Sequence, residues 1–152
     1  MYAPHTISLI CFHNDTPHLA ILRGVMLQAL NGRSVQRRGD QDEANATLYI
    51  PFSVHAQNAA GETLSYLPPL SYARSDDPDR HWTIQPEGTS AGRAGFFILG
   101  ELSEPCSLAE ARERYDFAYV IAGVNIHNYG SPSLRHYEVV SRVSSRYYQY
   151  GN

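Results

Sequence analysis

Apolar residues in this chain recur at every second position, in short runs broken by glycine, proline and small polar residues, and that period belongs to strands. The clearest run is "ATLYIPFSVH", residues 46–55, in which Leu48, Ile50, Phe52 and Val54 alternate with Thr47, Tyr49, Ser53 and His55. Pro51 falls on its outward face and has no N–H for a ladder, which predicts an edge strand or a bulge. In "TISLICF" Ile7, Leu9 and Cys11 share one face. "HLAILRGVMLQAL", residues 18–30, fits a strand bent at Gly24, because glycine inside a strand pattern marks a bulge. "LSYLPPLSYA", residues 64–73, reads as extended, since proline restricts both itself and its predecessor. "HWTIQ", "GFFILGEL", "AYVIAGVNIH" and "LRHYEVVSRV" supply the remaining strands, the last two joined by "NYGSPS".

One segment breaks the period. In "SLAEARERY" Ser107 opens an S-x-x-E capping box with Glu110, and Ala, Leu, Glu and Arg fill the turns behind it, which predicts a helix over Leu108 to Arg114. "NGRSVQRRGDQDEAN", Asn31 to Asn45, is polar throughout and reads as a long exposed loop, of a length uncommon without a functional reason. The expected fold is therefore mainly β: a small β-barrel of six or seven strands with one short helix and a long polar loop. A sandwich is the alternative, and closure into a barrel has the merit of removing exposed edges. A chain of 152 residues is expected to form one domain, residues 1–143, with "SSRYYQYGN", residues 144–152, as a tail without core periodicity.

Composition excludes several functions. The net charge of −3 argues against a general nucleic-acid binder, which needs a strongly basic face. No apolar run approaches the ~18 residues of a membrane-spanning helix. "MYAPHTISLICFHND" has no basic region ahead of its short apolar run, so synthesis in the cytoplasm without a secretory signal is expected. Cys11 and Cys106 are then expected as reduced, buried thiols. All 12 basic residues are arginine, and 11 tyrosines accompany them. Genome composition explains the first fact without physics, but both residue types also suit half-wet interfaces.

Catalytic patterns are missing. The seven histidines make no H-E-x-x-H, and none pairs with a C-x-x-C. His13 and His18 flank the turn "NDTP" and read as a surface pair, while Asp76, Asp77 and Asp79 lack the spacing of a calcium loop and read as a solvated turn. No nucleophile elbow, P-loop or G-x-G-x-x-G occurs. Cys11 lies two residues from His13, on one strand face, yet a thiol in an apolar strand is usually inert packing. The expectation is a protein that is not an enzyme and carries no metal or cofactor.

The order of the segments carries a resemblance. Along the chain stand Leu22-Arg23-Gly24-Val25, Tyr49-Ile50-Pro51, the double-proline stretch from Tyr66 to Tyr72, Trp82-Thr83-Ile84, Ile98 to Gly100 and Leu134 to Val139. In this order they resemble a family of small tailed-phage and prophage proteins from the head-morphogenesis region. Met26-Leu27 departs from the tryptophan usual there, Glu87 to Gly95 is an insertion, and Cys11 replaces a more usual aromatic or Asn region. The resemblance implies a structural virion protein at the head–tail junction, a head-closure (stopper) or adaptor subunit forming a ring beneath the portal. It implies synthesis in the host cytoplasm and a final place in the virion neck. The implied partners are further copies of itself, the portal or adaptor protein, a tail-completion or tail-tube protein and, transiently, packaged DNA; no membrane is involved.

On that reading the contacts fall to Arg33, Arg37, Arg38 and Asp40 in the loop and to Arg146, Tyr147, Tyr148 and Tyr150 in the tail, because arginine and tyrosine anchor interfaces. A tail terminator or a capsid-decoration protein would have similar needs. A small-ligand-binding barrel would need polar groups inside a cavity, and these strand faces are apolar.

Overall fold

The computed structural model describes residues 3–29, 45–88 and 92–144. Its strands are β1 (His5–His13), β2 (Thr16–Ala29), β3 (Asn45–Pro51), β4 (His55–Gln57), β5 (Ser65–Tyr66), β6 (His81–Trp82), β7 (Phe96–Leu99), β8 (Ala118–His127) and β9 (His136–Ser144). Six of them pair in the order β1-β7-β8-β9-β3-β2, and β2 returns to β1, so the antiparallel sheet closes on itself. The fold is the expected small β-barrel, with β4 added as a seventh strand alongside β2.

Local signals explain much of the path. Asn14 and Asp15 both take positive φ, 50° and 64°, as a two-residue primed turn requires, and join β1 to β2. Gly24 has φ +89°, and the β1–β2 register slips there: His5 faces Val25 while Thr6 faces Arg23. Gly24 is thus the extra residue of a bulge, and it lets β2 leave β1 and continue along β3. The helix α2 (Leu108–Arg114) begins where the capping box places it: the Glu110 N–H donates to Ser107 Oγ at 3.1 Å and the Ser107 N–H to Glu110 Oε1 at 2.9 Å.

Three expectations need correction. Residues 46–55 are not one strand. β3 ends at Pro51, Phe52 and Ser53 form a turn, and β4 then continues in the same direction along β2, in a shifted register against Ile21–Arg23. β3 is also no edge, since β2 and β9 flank it; Pro51 is tolerated because it is the last residue of its strand. Residues 64–73 are not wholly extended either. Pro68 is extended, but Pro69 opens a short helix, α1 (Pro69–Ala73), where its fixed φ suits the first position and its missing N–H has no partner to lose.

The barrel interior is filled by Ile7, Leu9, Leu22, Leu48, Ile50 and Phe97 with further buried neighbours, so it is a packed core. β1 is buried on both faces, unlike a half-solvated strand: Ile10 and Phe12 point outward into a second cluster with Phe96, Ile98, Cys106 and Ala111, beneath α2. At a transfer gain of ~25 cal/mol per Å², this cover makes the outer face of β1 contribute to stability as the inner one does.

Antiparallel pairing gives the barrel two distinct ends. The upper end gathers the β1–β2 turn, Pro51, the β8–β9 connection and the start of β7; the lower end gathers His5, Ala29, Asn45, Leu99, Ala118 and Ser144. Residues 64–85 run as a strap at the upper end. Its β5 and β6 pair in parallel, and its Leu64, Tyr72, Trp82 and Ile84 join the interior core. The double-proline stretch and the tryptophan that follows it therefore close one mouth of the barrel.

Candidate functional site

The lower end is where the expected contact segments begin. Ala29 pairs with Ala46, Asn45 with Arg142, and Ser144 with Ala118, so the chain leaves for residues 30–44, returns from them, and leaves for residues 145–152 at one end of the barrel. Arg33, Arg37, Arg38 and Asp40, and likewise Arg146, Tyr147, Tyr148 and Tyr150, lie outside the described residues. The structure brings together the roots of the two segments, a proximity that strand periodicity cannot reveal. β9 runs through Ser144, so that residue, expected in the tail, belongs to the barrel.

The upper end carries the other cluster of polar side chains. A cleft of about 380 Å³ opens along Pro17–Ala20 of β2, between the 58–64 turn and the strap at Pro78–His81. His18 Nδ1 lies 3.2 Å from Asp79, and His81 Nε2 lies 3.4 Å from Asp77 while its Nδ1 meets the Ser65 hydroxyl at 2.9 Å. The Ser75 hydroxyl donates to Asp77 at 2.8 Å and, with His81 beside it, holds that carboxyl below its usual range. Glu62 accepts from the Asn58 amide at 2.8 Å. These acids are exposed, as expected, but they are paired with histidines that the sequence reading left as a surface pair or unassigned. Their signal was the spacing of Asp77 four residues before His81.

Cys11 lines the cleft and is buried. Its thiol donates to the Thr83 carbonyl at 3.3 Å, and burial pushes its pKa up to about 12, with the Thr83 hydrogen bond as a smaller opposing effect. It is a neutral thiol at physiological pH and a poor nucleophile. His13 is not its base: that ring meets the Ser75 carbonyl at 3.0 Å and packs edge-on against Tyr72. Cys106 is buried under α2, and both cysteines are free. Among the described residues no group of three or more His, Cys, Asp or Glu side chains is placed to hold a metal ion. No helix among them is long and apolar enough to cross a membrane.

The most consequential polar residue escaped the sequence reading. Gln85 is 1% exposed; its Oε1 accepts from Phe12 N–H and its Nε2 donates to the Phe12 carbonyl, both at 2.8 Å. β7 pairs with β1 only as far as Ile10, and the Gln85 amide takes the place of the missing strand at Phe12. The fold and its two ends being set, the barrel can be placed among known proteins. The chain belongs to DUF6751, a family of unknown function, whose model matches residues 11–142. That span runs from within β1 to within β9 and includes the strap and α2. No curated protein and no solved structure matches the chain.

Proposed function

We propose that the protein is a structural component of a tailed-phage virion, a head-closure or adaptor subunit that forms a ring at the head–tail junction. One observation carries the reading: residues 30–44, which carry three arginines, and residues 145–152, which carry three tyrosines, are rooted at one end of the barrel, so the contacts assigned to them would form one face. The closed, packed barrel supplies a rigid body on which such a face can be mounted, and the strap closes the opposite end. The motifs behind the phage resemblance fall on fold-making positions: Gly24 at the bulge, Pro51 at a strand end, Trp82 in the core. They favour a shared barrel, and the role follows by implication. The neutral, buried Cys11 favours a structural over a catalytic role.

Within the ring, Arg33, Arg37 and Arg38 meet acids of a neighbour or of the portal. Surface pairs contribute only ~0–1 kcal/mol each, but a ring repeats each pair at every copy. DNA is the lesser partner, because Asp40, Asp42 and Glu43 in the same loop oppose a phosphate backbone. The test uses a phage dependent on the gene. Deleting residues 145–152, or introducing Arg37→Glu with Arg38→Glu, should leave packaged heads that leak DNA or fail to join tails, while the purified variant still folds. Normal titre from both variants rejects the contact assignment; absence of the protein from the mass spectrum of purified virions rejects the role.

A further inference from the structure

The cleft at the upper end is lined by a stretch of β2 whose main-chain groups are open on one side. A two-residue turn joins β1 to β2, so His13 and Thr16 exchange hydrogen bonds, and every second pair after them does the same. The Gln85 amide fixes the same phase, because it holds the Phe12 N–H and carbonyl on the other side of β1. His18 and Ala20 therefore bond to β1, while Pro17 and Leu19 turn their main-chain groups away from it. Farther along β2, Ile21 and Arg23 pair with β4 on that outward side, and β4 reaches no farther than Ile21. Among the described residues nothing pairs with the Leu19 N–H, the Leu19 carbonyl or the Pro17 carbonyl. The cleft of about 380 Å³ lies along them, within the size range of ligand pockets. Ala122–His127 of β8 also lacks a strand on one side, but that stretch lies outside the cleft.

We infer that this edge receives an extended peptide segment of a partner protein, added antiparallel to β2 in line with β4, with a basic side chain next to an apolar one. Main-chain pairing with Leu19 supplies the attachment, and the walls of the cleft supply the selection. Residues opposite one another on neighbouring strands share a face. Leu19 packs in the outer cluster with Phe12 and Cys106, and Pro105 lines the same cleft, so a residue opposite Leu19 meets an apolar wall. His18 lies on the other face, with Asp79 of the strap 3.2 Å from its ring, so a residue opposite His18 meets a carboxylate. Glu62 lines the cleft as well, and Asp77 and Arg80 stand in the pocket adjoining it. Three carboxylates against one arginine make the region acidic, a field that selects a cation. Pro17 has no N–H and limits the edge to one donor, a guard against long edge-to-edge pairing of two copies. The site lies at the end of the barrel opposite the segments of the ring reading and is independent of it.

The experiment adds a blocked peptide, Thr-Val-Arg-Val-Thr, to the isotopically labelled full chain and follows the amide spectrum. The expected result is a saturable shift of the Leu19 amide with slowed hydrogen exchange there. N-methylation of both valines removes the peptide's donors while keeping its side chains and charge, and should weaken binding about tenfold or more. Glutamate in place of the peptide's arginine, or Asp79→Asn with Glu62→Gln in the protein, should weaken it roughly threefold at low salt. Both protein positions are exposed, so these variants keep the core intact. Undiminished binding of the N-methylated peptide overturns the strand pairing, and undiminished binding of the glutamate peptide overturns the partner chemistry. No saturable shift at millimolar peptide overturns both. A shift centred on Ala122–His127 in place of Leu19 also overturns the inference, by seating the segment on β8. So does a Leu19 amide protected in a concentration-dependent way without peptide, which makes a second copy the occupant.

Discussion

Replacing Gln85 tests whether one side-chain amide stands in for a strand. In Gln85→Leu the Phe12 N–H and carbonyl lose their partners at 2.8 Å in a site that is 1% exposed on the Gln85 side. Each buried group left unpaired costs about 1–3 kcal/mol, so the pair costs roughly 2–6 kcal/mol. Leucine returns roughly 1–2 kcal/mol through its more apolar surface, and the midpoints of the two ranges leave a net loss of about 2.5 kcal/mol. For a chain of this size that lowers Tm by roughly 5–10 °C. Urea unfolding followed by Trp82 fluorescence measures it, since Trp82 is the single tryptophan and is buried.

Gln85→Glu is the control that separates hydrogen bonding from shape. Protonated, its carboxyl can donate to the Phe12 carbonyl and accept from the Phe12 N–H as the amide does. Ionised, it sets an anion against that carbonyl. Its folded pKa is therefore raised above the unfolded value, so the stabilising contribution is present below about pH 4 and is lost as pH rises through the folded pKa. The Glu variant should approach wild type near pH 4 and fall toward the Leu variant at pH 7. A Leu variant within about 1 kcal/mol of wild type, or a Glu variant with no such pH dependence, refutes the strand-substitute argument.

Gly95→Ala should also destabilise, by roughly 1–3 kcal/mol, because the new Cβ would meet the Ile10 carbonyl oxygen at 2.9 Å; unchanged urea midpoints would show that β1 can move away. Ser107→Ala removes the hydroxyl of the capping box and should cost about 1 kcal/mol, read in the same unfolding assay. Native Cys11 and Cys106 should label slowly with a thiol reagent and completely in denaturant; fast native labelling of both contradicts their burial. Burial pushes both Cys11 and Tyr66 up to about 12, from ordinary values near 9 and 10, and raises Tyr72 further. Raised folded values make stability full below pH 9 and lost progressively as pH climbs from 9 to 12, so phenolate absorbance of the buried tyrosines should appear together with unfolding.

What sequence alone determined was decided by near neighbours. The capping box needs only Ser107 and Glu110, the bulge only a residue free to adopt positive φ at Gly24, and strand period only alternation, so helix, bulge and most strands were legible. The mainly β class and its closure followed from many such strands with edges to hide. Tertiary structure decided whatever depends on a distant partner. Alternation continued through Pro51 to His55, yet the strand is interrupted at Phe52 and Ser53 because β4 takes a shifted register along the same partner strand, against Ile21–Arg23 of β2, some 30 residues earlier in the chain. The double proline is as compatible with a helix start as with an extended run, and burial of Tyr72 in the barrel core selected the helix.

At the candidate site the residue types were legible and their placement was not. Arg and Tyr mark residues 30–44 and 145–152 in sequence, but only the pairing of Ala29, Asn45 and Ser144 on adjacent strands roots both segments at one end. Gln85 shows the same limit: a glutamine between Ile84 and Pro86 carries no local signal, and its importance comes from β7 stopping short of Phe12, which lies 73 residues away in sequence.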